Sequence, residues 1–441
     1  MMSSSSPRRV PRMKPLSNRR PVIVSVLDVG STKICSLVAR LRPREGADEL
    51  LGRTHTMEVL GFGYQRSRGI KSGVVVDLDA AEQAIRQAVD SAERMAGVTI
   101  ESLIVNVTCG RLASETLSAS VRLDGTAVRE ADIQRVLEAG SQQTTRDGCL
   151  VVHSLPIGYA LDGNRGIRDP RNMIGGKLGV DMHVVTADAA PVRNMELTIS
   201  RSHLDVETMV ATPYASGLAS LVDDESELGA ACIDMGGGTT SIAVFSEGQV
   251  VHVDSIAIGG HHVTMDLARG LSTRLQDAER IKTLHGSAIG SALDDRDVLT
   301  VPPVSEDDRD IPTHVPRGTV TQIIRPRVEE ILELVRDRLN ASGYTGRVGK
   351  RIVLTGGASQ LTGLAEVARR VLGRNVRLGR PLGIAGLPEA AKGPGFAAAV
   401  GLLIYPQVAQ IEQFETRHTK NRLTGTEGYL ARVGQWFRES F

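Results

Sequence analysis

The stretch Glu227-Leu228-Gly229-Ala230-Ala231-Cys232-Ile233-Asp234-Met235-Gly236-Gly237-Gly238-Thr239-Thr240-Ser241-Ile242-Ala243-Val244-Phe245 decides the fold. Two apolar runs flank a glycine turn, the pattern of two strands joined tightly. Asp234 closes the first run, and Gly236, Gly237, Gly238, Thr239 and Thr240 follow it. Without a Cβ in the way, backbone N–H groups at such a turn can crowd around an anion. The threonine hydroxyls can donate to phosphate oxygens. The carboxylate repels phosphate but can hold a hydrated Mg²⁺ that binds it. A plain hairpin whose glycines serve only the turn has the same local pattern. What recurs elsewhere in the chain decides between the two.

The pattern does recur. Val22 to Leu27 reads as a strand, Asp28-Val29-Gly30-Ser31-Thr32-Lys33 as its turn, and Ile34 to Val38 as the returning strand. A third glycine turn, Thr355-Gly356-Gly357-Ala358-Ser359, follows the apolar Val353-Leu354 and is predicted to open a helix through Leu372. Two facing phosphate hairpins and a third glycine turn outline a nucleotide cleft between two similar α/β domains. Neither G-x-x-x-x-G-K-[ST] nor G-x-G-x-x-G occurs, so no P-loop or dinucleotide fingerprint is indicated.

With 441 residues the chain has room for two large domains. Its 52 basic and 51 acidic residues leave a net charge of +1, which gives no argument for a nucleic-acid partner. Cys35, Cys109, Cys149 and Cys232 form no C-x-x-C pair, the usage of a reducing compartment rather than a disulfide frame or zinc site. His261-His262 reads as structural. No apolar run approaches a membrane-spanning length; the longest is Phe396 to Tyr405. Residues 1–21 are rich in Ser, Pro and Arg with no apolar core, so they are predicted to be a disordered extension rather than a secretory signal.

Taken in order, a helix is expected after Asp77 or Asp79, with Ile85, Ala88, Val89, Ala92 and Met95 as its apolar stripe and Gly97 as its stop. Ser102 to Val107 is a buried strand. Residues 109–186 change texture and read as a small inserted α+β domain. Thr212 to Ala219 and Gly395 to Tyr405 are small-residue helices suited to link the two halves. From Gly259 to Asn340 the chain is mostly helical. Glu279 and Lys282, at i, i+3, share a face that could grip a ribose and base. Ser291 to Arg317 is predicted to be exposed loop, and Pro326 to Leu339 an amphipathic helix. After a polar linker at 406–428, residues 429–441 carry four of the thirteen aromatics, which points away from a core helix and leaves a membrane-interface helix, the favoured reading, or one that docks into a partner's groove. Leu430, Val433, Trp436, Phe437 and Phe441 recur at helical spacing with Arg432 and Arg438 beside them, the make-up of an interfacial membrane helix.

Phosphate hairpin, linking helix, second hairpin, glycine turn and second linking helix, in that order, resemble the actin, Hsp70 and sugar-kinase ATPase superfamily. The insertion after Thr108, Glu227-Leu228-Gly229, the run Asp277 to Gly286 and the aromatic end resemble the FtsA family of bacterial cell-division proteins over residues 22–441. The resemblance implies an actin-like two-domain fold: ribonuclease H-like halves around a nucleotide cleft, with an inserted SHS2-type subdomain. Subdomain 1A would comprise 22–108, 187–203 and 390–405; 1C, 109–186; 2A, 204–259 and 346–389; 2B, 260–345. It implies ATP with Mg²⁺ held through water by Asp28 and Asp234. The nucleotide would meet Asp28, Gly30, Ser31, Thr32 and Lys33 on one side and Asp234, Gly236, Gly237, Gly238, Thr239 and Thr240 on the other. Glu279, Lys282, Gly356 and Gly357 would take the adenosine.

It further implies an actin-like polymer and capture of the FtsZ C-terminal tail on 2B. Later division proteins would be recruited through 1C. The terminal helix would tether the assembly to anionic lipid at the cytoplasmic face of the inner membrane, at the division site. Two departures bear on chemistry. Filament-forming relatives such as MreB carry Glu before the Pro of the first linking helix, where Thr212 stands here. Ser241 replaces an acid that often ends the second phosphate motif. Both imply at most slow ATP hydrolysis. A PilM-like pilus-assembly protein and a sugar-kinase-type enzyme are the alternatives of the same fold.

Overall fold

Strand β1 (Val22–Val29) runs antiparallel to β2 (Lys33–Pro43), and β2 to β3 (His55–Arg66). In β3, buried His55, Met57, Val59 and Gly61 alternate with more exposed neighbours. In this computed structural model the described residues run from 9 to 412, excepting 14, 18, 45–52, 110, 143–146, 292, 293, 295, 305–311, 347, 349 and 350. The short strands β4 (Ile70–Lys71) and β5 (Val74–Val75) precede helix α1 (Leu78–Ala96). Asp77 is its N-cap, accepting from the Asp79 and Ala80 N–H groups, and Gly97 ends it in the left-handed conformation. Its buried stripe is Ile85, Ala88, Val89 and Ala92, but Met95, expected on that stripe, is exposed. Strand β6 (Ser102–Val107) lies parallel to β1.

The inserted segment holds β7 (Ala113–Arg122), helix α2 (Glu130–Ser141), β8 (Cys149–Leu161), β9 (Asn164–Ile167) and β10 (Lys177–Asp188), with sheet order β7-β10-β8-β9. Within it, 118–142 and 158–181 form a compact unit of their own. That unit buries Val128, Ile133, Val136, Leu137, Leu161, Leu178 and Val180.

The larger unit continues with α3 (Ala189–Arg201), β11 (Asp205–Ala211), α4 (Thr212–Ser220), α5 (Asp223–Leu228), β12 (Ala230–Met235), β13 (Thr240–Ser246) and β14 (Gln249–Ile256). Helices α6 (Gly260–Gly270) and α7 (Leu275–His285) follow, then β15 (Val298–Val301), β16 (Thr313–Pro316) and α8 (Arg317–Ala341). The described chain closes through β17 (Arg351–Thr355), α9 (Leu364–Leu372), β18 (Asn375–Leu378) and α10 (Ala397–Val408).

Two sheets repeat one plan. The first has the order β11-β6-β1-β2-β3, the second β14-β13-β12-β17-β18. In each, three antiparallel strands lead into two parallel ones. This is the two-halved α/β architecture predicted from the repeated turn. Helix α4 packs on strands of both halves, and α10 packs on α4 and on the first sheet. A Cβ on Gly401 would lie closer than 3.0 Å to the Ala215 carbonyl oxygen, so the contact of α10 with α4 requires glycine there.

Several expectations need correction. Strand β11, placed in the second half by sequence, is the edge strand of the first sheet, parallel to β6. The extension predicted to be disordered is packed where it is described. Val10, Met13 and Leu16 are buried, and Thr208 Oγ1 donates to the Pro11 carbonyl at 2.8 Å. The expected loop at 291–317 contains the antiparallel β15–β16 pair. Helix α8 begins at Arg317, nine residues earlier than predicted, with Pro326 inside it. Burial of Val320, Ile324, Val328, Ile331 and Leu332 offsets the roughly 3 kcal/mol that an interior proline costs. The third glycine turn opens a 3-10 turn at Gly357–Gln360, and the α-helix starts only at Leu364.

Candidate nucleotide site

The two acidic turns are built alike. Asp28 pairs with Cys35 across β1–β2, and Asp234 with Ser241 across β12–β13. The Gly30 N–H donates to the Lys33 carbonyl and the Gly236 N–H to the Thr239 carbonyl, each at 2.9 Å. Each acid is therefore the next-to-last residue of its strand, two positions before a closed four-residue turn. The turns face one another. Asp28, Gly30, Ser31, Thr32, Lys33, Asp234, Gly236, Gly237, Gly238, Thr239, Gly356 and Gly357 line one cavity of about 120 Å³.

Asp28 and Asp234 are both buried. Burial pushes the Asp28 carboxyl up to about 6, with Lys33 opposing the rise and Asp234 adding to it. Burial also raises Asp234, against a hydrogen bond from the Ser216 hydroxyl and the charge of Lys33. Two desolvated carboxylates in one cavity disfavour ionisation of both. A divalent cation would relieve that cost, and Mg²⁺ binds through carboxylates and retained waters. The donor set therefore fits a hydrated cation flanked by backbone-rich turns.

Three residues expected at the nucleotide, Thr240, Glu279 and Lys282, are not among those lining this cavity. Thr240 is fully buried and its hydroxyl donates to the Ile258 carbonyl at 2.8 Å. Glu279 and Lys282 lie on α7 and pair with each other at 2.7 Å. Lys282 also donates to the Gly260 carbonyl at 3.1 Å and to Thr264 Oγ1 at 2.8 Å. Burial raises the Glu279 carboxyl, but the Lys282 charge and hydrogen bond, with the Thr264 hydroxyl and His261, together bring its pKa below the ordinary value. In this arrangement the pair braces the start of α6. The Gly260 N–H in turn donates to the Gly236 carbonyl at 2.9 Å, so the brace reaches the second turn.

The cavity also contains residues that sequence reasoning did not place there: Gly73, Asn106, Thr108, Gly395 and Ala398. Thr212 and Ser241, noted as departures, line it too. Asn106 is buried in β6, accepts from the Val29 N–H at 2.7 Å and donates to Thr212 Oγ1 at 3.1 Å. Thr108 and Thr212 share a hydrogen bond at 3.0 Å. A lone amide inside the apolar run of β6 was the available signal. Among the described lining residues the only carboxylates are Asp28 and Asp234.

A family profile described as "Cell division protein FtsA" matches residues 231–401, and one described as "SHS2 domain inserted in FTSA" matches 109–186. The chain is 60% identical over 433 residues to the cell division protein FtsA of Agrobacterium fabrum, covering 98% of each. The chain belongs to the FtsA family of cell division proteins. FtsA of Escherichia coli K12 is 31% identical over 427 residues, covering 95% of this chain and 98% of that one. Among solved structures, the PilM-PilN type IV pilus biogenesis complex matches with a TM-score of 0.59 at 16% identity, covering 88% of this chain and 99% of that one. MreB5 of Spiroplasma citri bound to ADP matches with a TM-score of 0.51 at 12% identity, covering 89% and 98%. These likenesses establish an actin-like fold, and the inserted SHS2 domain sets the FtsA architecture upon it.

Proposed function

We propose that this FtsA-family chain binds ATP with Mg²⁺ in the cleft between the two sheets and acts as a nucleotide-gated membrane tether for FtsZ filaments. The observation that carries the reading is the convergence of two acidic glycine turns, two buried carboxylates and Lys33 on one cavity. Backbone N–H groups at the turns and the Lys33 ammonium would bind the phosphates. Asp28 and Asp234 would hold the hydrated cation, which neutralises phosphate charge when bound. Gly356 and Gly357 border the cavity, so adenosine would lie on their side. Lys282 would reach it only by exchanging a present partner, whereas the half-exposed Glu279 would meet it while keeping its Lys282 contact.

Hydrolysis is slow in this reading. A base is needed to take a proton from water. Thr212, Thr108 and Asn106 occupy that wall of the cavity, and none is a base at neutral pH. The same poverty of carboxylates disfavours a sugar kinase. ATP would instead favour one arrangement of the two halves by binding it more tightly. Turnover of about 1 per second or faster, the range of ordinary enzymes, would defeat this part.

The tether itself falls on residues 429–441, which lie outside the described residues. No helix among the described residues is long and apolar enough to cross a membrane. Attachment through Leu430, Val433, Trp436, Phe437 and Phe441, with Arg432 and Arg438 toward anionic lipid, fits a helix lying in the interface. One such helix binds weakly, and an actin-like polymer arrays many. Subdomain 2B would hold the acidic FtsZ tail, with 1C serving later division proteins. Arg325 and Arg327 are poor peptide ligands, being paired with Glu329 at 2.9 Å and with Asp266 at 2.6 Å. Exposed Arg280 on α7 is the better target for charge reversal. The test is co-sedimentation with FtsZ and anionic liposomes, with and without ATP, beside Trp436→Glu. Loss of liposome binding with nucleotide affinity unchanged is expected of that variant. Retained flotation would refute the tail assignment.

A further inference from the structure

The cation of the first turn has an unusual seat. The Lys33 ammonium lies 3.8 Å from the centroid of the Phe396 ring and donates to the Gly395 carbonyl. Phe62 and Tyr64 of β3 brace that ring, with centroids at 5.9 and 6.2 Å. The loop bearing Phe396 is itself fixed to the third turn. The Pro394 carbonyl accepts from the Gly356 N–H at 3.1 Å and from Thr355 Oγ1 at 3.2 Å. One loop thus connects the first turn's lysine to the third turn's backbone.

Lys282 provides the contrast. Its charge is met by a carboxylate at 2.7 Å. Lys33 is held by a carbonyl and a ring face, neither of which carries a net charge. An ammonium has three donors, and the Gly395 carbonyl takes one. The seat therefore fixes the flexible four-carbon stem without a carboxylate in direct contact, Asp28 and Asp234 acting on the charge only through space. Fixing the stem before a ligand arrives removes part of the ordering cost from binding.

We propose that Phe396, with the Gly395 carbonyl, is a positioning residue that aims the Lys33 ammonium at the phosphates of the bound nucleotide. The inference rests on the reading of the cleft as a nucleotide site. Its signature is selectivity for ligands that carry phosphate.

The test titrates the full chain with Mg-ATP, Mg-ADP and adenosine. Phe396→Leu is expected to weaken ATP by about 3- to 30-fold, the range of a cation–π contact. Adenosine affinity should stay within about twofold, since it offers Lys33 no charge. Phe396→Tyr, which keeps the ring face, should keep ATP affinity. Lys33→Met should weaken ATP at least as much as Phe396→Leu, and adding Phe396→Leu to it should change nothing further. If Phe396→Leu unfolds early, Phe396→Met preserves volume and takes its place. Equal losses for ATP and adenosine, or additive losses in the double variant, would overturn the proposal. An unaltered chain that binds none of the three ligands would overturn the cleft reading as well. Binding by the unaltered chain without any effect of Phe396 would overturn this inference alone.

Discussion

The turns at Asp28–Lys33 and Asp234–Thr239 share a register and a closing hydrogen bond, yet they are filled in opposite ways. The first carries side chains, Ser31, Thr32 and Lys33. The second offers space, Gly237 and Gly238. A Cβ on Gly237 would lie closer than 3.0 Å to Thr32 Cγ2, and one on Gly238 closer than 3.0 Å to Ser31 Oγ. The glycines of the second turn therefore accommodate the hydroxyl residues of the first, in addition to any anion. The acids differ as well. Asp234 receives the Ser216 hydroxyl, whereas among the described residues Asp28 has no such donor and relies on the charge of Lys33. A repeated motif has become two complementary parts, one bearing charge and hydroxyls and the other bearing room.

The hardest test of that division removes the acid of the second turn. Asp234→Ala should weaken Mg-ATP by about 100-fold or more, near 3 kcal/mol, because a charge-bearing ligand of the cation is lost. Thermal unfolding should show the fold intact. ATP affinity within about threefold of the unaltered chain would mean the two acids do not act together.

Removing charge from the first acid should do the reverse to the empty protein. An unfolded aspartate titrates near 3.9, and Asp28 is pushed up to about 6 in the fold. Between those values the folded chain holds a proton that the unfolded chain has lost. Stability therefore falls as pH rises through the window, and the cost is complete above it. Asp28→Asn should stabilise the nucleotide-free chain by about 2–3 kcal/mol at pH 8 and flatten the pH dependence between about 4 and 6. It should also weaken Mg-ATP. Chemical denaturation across pH measures the first effect, and an unchanged or lower stability at pH 8 would show that Lys33 already compensates the buried charge.

The complementarity of the two turns yields a smaller effect. Gly237→Ala should cost about 1–3 kcal/mol through overpacking against Thr32. Thr32→Gly in the same chain should restore much of it, giving a coupling above about 0.5 kcal/mol in a double-mutant cycle. Additive losses would mean that the turns are not in contact in solution. Smallest of all, Lys282→Met should change ATP affinity only a few-fold, since Lys282 already spends its charge on Glu279 at 2.7 Å. A loss as large as that of Lys33→Met would move the adenosine site onto α7.

Much of this was legible locally. Strand, acid, glycine and hydroxyl lie within a few residues of one another in each turn, so periodicity and spacing exposed both hairpins, and they narrowed the α1 cap to Asp77 or Asp79, of which the structure takes Asp77. Other parts were not. Val10, Met13 and Leu16 are isolated apolar residues in an Arg- and Pro-rich stretch, and their burial depends on a core contributed by distant strands. Composition alone pointed the other way. Proline at 326 suggested a helix start, but the buried face of α8 on both sides of it outweighs the local cost. Glu279 and Lys282 were correctly placed on one face, yet spacing could not say whether that face meets a ligand or its own neighbours.

The sequence by itself determined the repeated turn, the inserted domain and the acids of the cavity, because each is written in contiguous residues whose backbone needs are local. Only the tertiary structure decided which turn supplies side chains and which supplies space, that Asn106 and Thr108 join Thr212, and that Phe396, from the far end of the described chain, seats Lys33. Such pairings form when two sheets and two crossing helices bring distant segments within a few ångströms. Their energy lies in desolvation and close contact, which no local pattern records.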